Sequence, residues 1–260
     1  MCKECGCSGE HHEHHHDHGT GEHVHYRPDG TAYTHRHDGS APREVRLGEA
    51  VLAANDRLAE ENRAWFRKHG VRVLNLISSP GAGKTELLTK TLPELVKRGI
   101  PTAVIVGDHC GTLDAARMRC DRVKVTQIET HSSCHLDAAR IHAVLEEAVP
   151  EGTKLLLIEN VGNLVCPAAF DLGEEAKVAL LSTPEGEEKP YKYPALFAAA
   201  KAVVLTKMDL AETLGWDEKR CLGYLRQVGP EAQILRVSAK TGAGMADFLK
   251  MLNDFVNRSR

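Results

Sequence analysis

A glycine-rich stretch directly after an apolar run constrains the fold of this 260-residue chain more than any other feature. The apolar run VRVLNLI (71–77) leads into SSPGAGKTELL, which matches the phosphate-binding P-loop pattern from Ser78 to Thr85. Ser78 stands where the first glycine is usual, a small departure because such a loop is built largely from backbone. A strand before the loop and a helix after it direct backbone N–H groups at a phosphate. The sequence therefore predicts a nucleotide-binding P-loop.

The residues of this loop have separate predicted roles. Lys84 reaches the β- and γ-phosphates and is a candidate catalytic residue, while the hydroxyl of Thr85 holds Mg²⁺. The other predicted nucleotide contacts in the loop are Gly81, Ala82, Gly83 and Glu86.

Short apolar runs alternate with helix-like segments through most of the chain. The runs after the P-loop are 102–106, 154–159, 176–182, 202–207 and 233–238, and helices are predicted around 84–98, 136–149, 217–228 and 244–257. A further helix is predicted from Pro42 to a stop at Gly70. This alternation predicts an α/β P-loop NTPase with a mostly parallel sheet flanked by helices. Residues 41–260 are expected to form this domain, including the N-terminal helix.

Two short motifs after successive strands predict GTP as the nucleotide. In TKMD (206–209), Asp209 can accept hydrogen bonds from both donors on the guanine edge, whereas adenine has no matching pair. The stem of Lys207 can lie along the base. Thr206 replaces the usual asparagine, which we expect to weaken its bracing of the loop. The second motif, SAK, contributes Ser238, Ala239 and Lys240.

Two acidic residues are candidates for holding Mg²⁺ together with Thr85. Glu159 begins ENVGN, where Asp-x-x-Gly is usual, and Gly162 of that segment can contact the γ-phosphate. Asp108 ends another predicted strand, and both acids are also candidate catalytic residues. For Asp108, a helix N-cap or an ordinary loop acid remains an alternative.

The first forty residues form a separate compositional unit. They contain seven acids, three Lys or Arg, and ten of the fifteen histidines. Few aliphatic residues are present, so a disordered metal-binding tail is expected over 1–40. Removal of Met1 would let the Cys2 amine join the thiolates of Cys2, Cys5 and Cys7 in a planar nickel site. A zinc knuckle, a redox pair and an affinity tag are the alternatives, although acids interrupt HHEHHHDH as they would not in a tag.

Several functional classes are disfavoured by composition. The start of the chain lacks the apolar region of a signal peptide, and no apolar run approaches the roughly 18 residues of a membrane span. A cytoplasmic location is therefore expected, where eight cysteines indicate metal or redox chemistry more than disulfides. Nucleic acid is not an expected partner, because the body is nearly neutral and has no basic stripe.

A second group of candidate metal ligands lies within the body. Cys134 and His135 precede a predicted helix, and Cys166 follows Glu159 by seven positions. Thiolate and imidazole are good ligands for Zn²⁺ or Ni²⁺. The alternative is that the cysteines are buried packing residues and His135 is a helix cap. His109 and Cys110, in a switch-like loop, are weaker candidates for additional ligands.

These motifs together resemble the HypB family, the nickel-insertion GTPases of nickel–iron hydrogenase maturation. The resemblance rests on CKECGC, SSPGAGKTELL, GD…TLDAARM, CHLDA and ENVGNLVCP, and covers essentially the whole chain. It implies a dimerising GTPase that delivers Ni²⁺ to the hydrogenase large subunit, together with a small zinc- and nickel-binding partner. It also implies that Cys134, His135 and Cys166 are metal ligands.

Two other functions remain open. A nickel storage or buffering protein would use the histidine tail without needing a guanine site. A urease-type nickel-insertion GTPase carries its ligands as Cys-Pro-His, whereas here Cys166-Pro167 is followed by Ala168.

Because three ligands are one short of a closed tetrahedral site, we expect a homodimer with the metal at or near its interface.

Overall fold

A computed structural model describes residues 22–26, 32–36, 43–108, 113–131 and 133–258. The chain divides into two compact units, Met1–Ala53 and Ala54–Arg260. In the first unit, β1 (Glu22–Tyr26) pairs antiparallel with β2 (Ala32–Arg36), two strands that the sequence analysis did not predict. The tail cysteines Cys2, Cys5 and Cys7 lie outside the described residues, as do His109 and Cys110. The tail boundary at residue 40 therefore stays a prediction.

A seven-stranded parallel sheet forms the centre of the second unit. Its order is β5-β4-β6-β3-β7-β8-β9, with β3 carrying the P-loop at the middle position. The predicted parallel α/β fold is confirmed. The strands are β3 (Arg72–Ser78), β4 (Thr102–Asp108), β5 (Lys124–Glu129), β6 (Leu155–Glu159), β7 (Ala176–Ser182), β8 (Ala200–Thr206) and β9 (Gln233–Arg236).

The sequence analysis missed β5, the strand at one edge of the sheet. Its segment KVTQIE is mostly polar, and only Ile128 is buried. An edge strand is covered less than a central one, so it carries no continuous apolar run.

Helices cover both faces of the sheet, because successive side chains of a strand point to opposite faces. Leu74 of β3 lies in a core cluster with residues of α2 and α9, while Val73 lies in another with residues of α1 and α4. The helices are α1 (Arg43–His69), α2 (Lys84–Lys97), α3 (Leu113–Arg117), α4 (Ala138–Ala148), α5 (Cys166–Ala169), α6 (Lys189–Lys192), α7 (Pro194–Ala199), α8 (Glu218–Val228) and α9 (Met245–Asn257).

The long predicted helices match observed ones, but four short helices were not predicted. They are α3, α5, α6 and α7, of four to six residues each. Such lengths are too short for helical periodicity to register in a sequence. None of the helices within the described residues is long and apolar enough to cross a membrane.

All strands of the sheet run in one direction, so the loops after them gather at one edge. That edge receives the P-loop after β3, Glu159 at the end of β6, Thr206 at the end of β8 and the loop after β9. Ligands of open α/β sheets bind at this carboxyl edge. The topology therefore brings residues far apart in the chain to one region.

Candidate nucleotide and metal sites

The P-loop is held in shape by two glycines and one serine. Gly81 and Gly83 have φ values of +73° and +97°, which side chains rarely allow. The Ser78 hydroxyl donates to the Ser79 carbonyl at 2.7 Å and accepts from Lys84 Nζ at 2.8 Å. Ser78 therefore orients the lysine that a phosphate would meet, a role that the sequence analysis did not foresee.

Lys84 is a buried cation within a group of acids. Burial lowers the pKa of its ammonium group, while the nearby carboxylates of Glu159, Glu185, Asp114 and Asp108 raise it in opposition. A phosphate in the loop would add negative charge next to the ammonium and favour its charged form. The electrostatics of the loop therefore suit an anionic ligand.

Glu159 is buried beside the helix that begins at Lys84. Its Oε1 accepts from the Thr85 hydroxyl at 2.7 Å, whereas its buried Oε2 has no hydrogen-bond partner among the described residues. Burial raises the pKa of this carboxyl to about 7, although Lys84 and Thr85 act to lower it. An unsatisfied carboxylate oxygen next to a hydroxyl fits the oxygen ligands that Mg²⁺ prefers.

One cleft of about 400 Å³ joins these groups. It is lined by Lys84, Thr85, Asp108 and Glu159, so the structure brings the three predicted magnesium ligands together. Gly162 also lines it, and a Cβ there would lie 2.8 Å from the Cα of Pro80. The segment after Glu159 is therefore packed directly against the P-loop.

Two further charged residues line the cleft that sequence reasoning did not single out. Asp114 and Arg117 belong to α3, and Arg117 Nη2 donates to Glu86 Oε2 at 2.8 Å. The Glu86 side chain, predicted to contact nucleotide, is thus ion-paired at the rim. Charged residues in a short helix carry no spacing signal, and only their packing beside the P-loop identifies them.

The two predicted base-binding loops contact each other and the P-loop. The buried Thr206 hydroxyl donates to the Ala82 carbonyl at 2.6 Å, so this position still braces the P-loop. The Ser238 hydroxyl donates to Asp209 Oδ1 at 2.6 Å and orients that exposed carboxylate. Lys207 has a φ of +56°, and its carbonyl accepts from Thr183 Oγ1. Ala239 is half-buried and Lys240 is exposed in the loop that follows.

Cys134, His135 and Cys166 form a compact cluster although 32 positions separate the two cysteines. Their possible ligand atoms all lie within 4.8 Å of one another, and the two sulfurs are 3.1 Å apart. The His135 ring packs against the Phe170 ring with the centroids 3.9 Å apart and the planes tilted by 36°. Two thiols and an imidazole at these separations suit Ni²⁺ or Zn²⁺ better than Mg²⁺. The packing alternative does not explain why three such donors converge.

Comparison with known proteins points in the same direction. Residues 72–236 match the family model described as the CobW/HypB/UreG nucleotide-binding domain. The hydrogenase maturation factor HypB of Azotobacter vinelandii is 51% identical over 221 residues, covering 85% of this chain and 72% of that protein. HypB of Escherichia coli K12 is 48% identical over 223 residues, covering 86% and 77%.

A solved structure agrees with this likeness. The crystal structure of Helicobacter pylori HypB in complex with nickel superposes with a TM-score of 0.73 at 34% identity. That match covers 80% of this chain and the whole of the other.

Proposed function

Since this chain belongs to the HypB proteins of the CobW/HypB/UreG family, we propose that it is a GTP-hydrolysing nickel metallochaperone. In this proposal it binds Ni²⁺ and delivers it to the large subunit of a nickel–iron hydrogenase during maturation. The observation that supports it best is the cluster of Cys134, His135 and Cys166, whose last member follows the Glu159 segment of the nucleotide cleft by a few residues.

Hydrolysis would use the groups that line the cleft. Lys84 would hold the β- and γ-phosphates, and the backbone at Gly162 is close enough to the P-loop to follow the γ-phosphate. Thr85, Asp108 and Glu159 would hold Mg²⁺, which neutralises charge developing on the transferred phosphoryl group. Glu159 Oε2, unsatisfied among the described residues, is placed to accept from a water in the cleft.

Guanine would be selected by the carboxylate of Asp209. Ser238 fixes one of its oxygens, which lowers the entropy lost when the carboxylate accepts two hydrogen bonds from the base. Adenine offers no such donor pair, so binding it would leave the acceptor unpaired.

Nickel is the proposed cargo of the cluster, and Zn²⁺ is a second metal that the same ligands suit. Three ligands from one chain leave a coordination position open, which a second copy in a homodimer would fill or bridge. The open position also allows exchange with a small zinc- and nickel-binding maturation partner and with the hydrogenase precursor. We place this activity in the cytoplasm, where cysteines stay reduced.

The test is the nickel affinity of the full chain with GDP and with a non-hydrolysable GTP analogue. Nickel binding is followed by the sulfur-to-nickel charge-transfer absorption. Cys2, Cys5 and Cys7 are replaced by Ala, so that this absorption does not arise from the tail. The proposal expects different affinities in the two states, loss of the signal in Cys166→Ala, and no GTP hydrolysis in Lys84→Ala. Equal affinities, or an unchanged signal in Cys166→Ala, would contradict nucleotide-gated transfer.

Nickel storage is a second candidate, favoured by the ten histidines of the first 37 residues. A deletion strain grown with and without added nickel distinguishes the candidates when hydrogenase and urease are assayed separately. Delivery to hydrogenase predicts a specific hydrogenase defect. A storage role predicts that both activities fall only when nickel is scarce, and a urease-type role predicts a urease defect.

A further inference from the structure

Asn160 is a buried residue that connects the nucleotide cleft to the segment carrying two metal ligands. It directly follows Glu159 and is only 1% exposed. Its Oδ1 accepts from the backbone N–H of Val161 at 3.0 Å and from that of Leu136 at 3.2 Å. Leu136 comes immediately after the ligand pair Cys134-His135. One side chain therefore joins the end of β6 to the residue that follows the ligand pair.

The side-chain nitrogen of Asn160 begins a series of contacts that reaches the segment of the third ligand, Cys166. Asn160 Nδ2 donates to Asn75 Oδ1 at 3.2 Å, and Asn75 Nδ2 donates to Glu174 Oε1 at 3.1 Å. Glu174 lies 3.8 Å from Lys177, whose ammonium donates to the carbonyls of Ala168 and Phe170 at 2.7 and 3.3 Å.

Both arms end on segments that position metal ligands. Ala168 belongs to α5, which begins with Cys166, and the ring of Phe170 packs against that of His135. The hydrogen bonds made by the side chains of Asn160 and Asn75 are buried, where breaking one without replacement costs about 1–3 kcal/mol. A shift of Asn160 is therefore passed on to both segments more readily than it is absorbed.

Nucleotide binding would disturb the start of this path. The Thr85 hydroxyl donates to Glu159 Oε1, and its oxygen can bind Mg²⁺ at the same time through a lone pair. An ion held by Thr85 and by Glu159, whose Oε2 has no partner among the described residues, would pull on the Glu159 carboxylate, and Asn160 is bonded to Glu159 covalently. The backbone N–H of Asn160 is itself held by Leu76 O at 3.0 Å, next to the P-loop strand's end.

We infer that Asn160 is the positioning residue through which the nucleotide state is transmitted to Cys134, His135 and Cys166. The inference rests on the proposed function, because it needs a metal affinity that depends on the nucleotide. It adds a specific route: the side-chain amide of Asn160, rather than the backbone from Glu159 to Cys166 alone, couples the two sites.

Asn62 provides a matched control. It is a fully buried amide that donates to the carbonyls of Ala138 and Leu172 and contacts His142 Nδ1. Within the described residues, none of these hydrogen bonds reaches the nucleotide cleft. Asn62→Ala and Asn160→Ala therefore remove amides of similar burial and connectivity. A loss of stability should be common to both variants, whereas a loss of coupling should follow only Asn160→Ala.

The experiment measures Ni²⁺ affinity by sulfur-to-nickel absorption in the full chain lacking Cys2, Cys5 and Cys7. We expect an affinity ratio between the GDP and GTP-analogue states of roughly 5- to 150-fold in this background and in Asn62→Ala. The ratio should approach one in Asn160→Ala. An unchanged ratio in Asn160→Ala, or an equal loss in Asn62→Ala, would overturn the inference. A ratio of one already in the parent chain would instead contradict the proposed function.

A second measurement does not depend on a variant that folds. Amide hydrogen exchange in the parent chain reports the strength of the bond from Leu136 N–H to Asn160. We expect its protection to differ between the GDP and GTP-analogue states. If affinity differs between these states while protection at Leu136 is identical, coupling takes another route and Asn160 is not its carrier.

Discussion

At the scale of single residues, two departures from common P-loop sequence have structural compensation. Ser78, in place of glycine, gives Lys84 a hydroxyl acceptor, and Thr206, in place of asparagine, still bonds the P-loop backbone. The Thr206 hydroxyl has one hydrogen to donate, whereas an asparagine amide has two, so Thr206 braces the loop through a single donated hydrogen bond. Motif departures of this kind therefore do not argue against nucleotide binding.

The base preference depends on one carboxylate, so Asp209→Asn should change it. The variant replaces an acceptor by a donor toward the guanine amino group, and a hydrogen bond to a charged group contributes about 1.5–3 kcal/mol. GTP affinity should fall roughly 10- to 150-fold while xanthosine triphosphate binds better. Fluorescence titration with both nucleotides measures this. Equal affinity of the unchanged chain for ATP and GTP would refute the base assignment.

Glu174 should make stability depend on pH. Burial raises the pKa of its carboxyl above the ordinary 4.5. Between the ordinary and the raised value the folded chain holds a proton that the unfolded chain has released, so this carboxyl's contribution to stability is lost as pH rises. Relative to Glu174→Gln, the unmodified chain should therefore lose unfolding free energy as pH increases from about 4.5.

Urea unfolding of both proteins across that pH range measures the difference. The same change at the exposed Glu231 serves as the control for removing a carboxylate. A difference between unmodified and Glu174→Gln chains that stays constant with pH would show that Glu174 ionises as readily in the folded state as in the unfolded one.

At the scale of elements, the segment from the end of β6 to α5 contributes residues to both the nucleotide cleft and the metal cluster. Glu159 and Gly162 face the nucleotide cleft, and Cys166 at the first position of α5 faces the metal cluster. Only three residues separate Gly162, in the cleft, from Cys166, in the cluster. Its packing against Pro80 makes it sensitive to small additions of volume.

Gly162→Ala should impair nucleotide binding with the fold retained. The added methyl would meet the Cα and N of Pro80 at 2.8 and 2.9 Å, so the segment and the P-loop must separate. Overpacking of this kind costs about 1–3 kcal/mol. GTP affinity and hydrolysis should both fall, and calorimetric titration with a turnover assay measures them.

Gly223→Ala is the matched control. Gly223 lies on the exposed side of α8 and has open space where a Cβ would be added. Alanine there should stabilise the helix by roughly 0.5–1 kcal/mol and leave GTP binding unchanged. If Gly162→Ala also leaves binding unchanged, close contact between this segment and the P-loop is not required for function.

At the scale of the whole molecule, the chain combines a nucleotide-binding domain with a Cys- and His-rich tail. Two classes of nickel site are then expected, one in the tail and one at Cys134, His135 and Cys166. The tail site is a prediction from sequence, since its cysteines lie outside the described residues.

Blocking the N-terminus should separate the two classes. Residues added before Cys2 would remove the free amine from the predicted chelate, so the tight tail site should weaken by at least about tenfold, equivalent to about 1.4 kcal/mol. The Cys134 cluster should keep its affinity, because its ligands do not include the amine. Nickel titration of the extended and unextended chains compares the two. Equal affinity in the tail site would exclude the amine as a ligand.

The sequence alone determined the fold class, the P-loop and the identity of most candidate ligands. Central strands such as β3 are buried on both faces and so read as continuous apolar runs, and a phosphate loop requires glycines at fixed spacing. Local patterns of that kind can be recognised in the sequence alone.

Only the tertiary structure decided which distant residues meet. The convergence of Cys134 with Cys166, the contacts of Asn160 with Leu136 and Asn75, and the placement of Arg117 at the cleft depend on strand order. The hydrogen-bond partners of a buried asparagine come from other strands and loops. Neither the position of the asparagine in the sequence nor its sequence neighbours therefore reveal which groups it bonds. The edge strand β5 and the four short helices escaped prediction for a related reason, because packing by the rest of the chain stabilises them more than their own sequence pattern does.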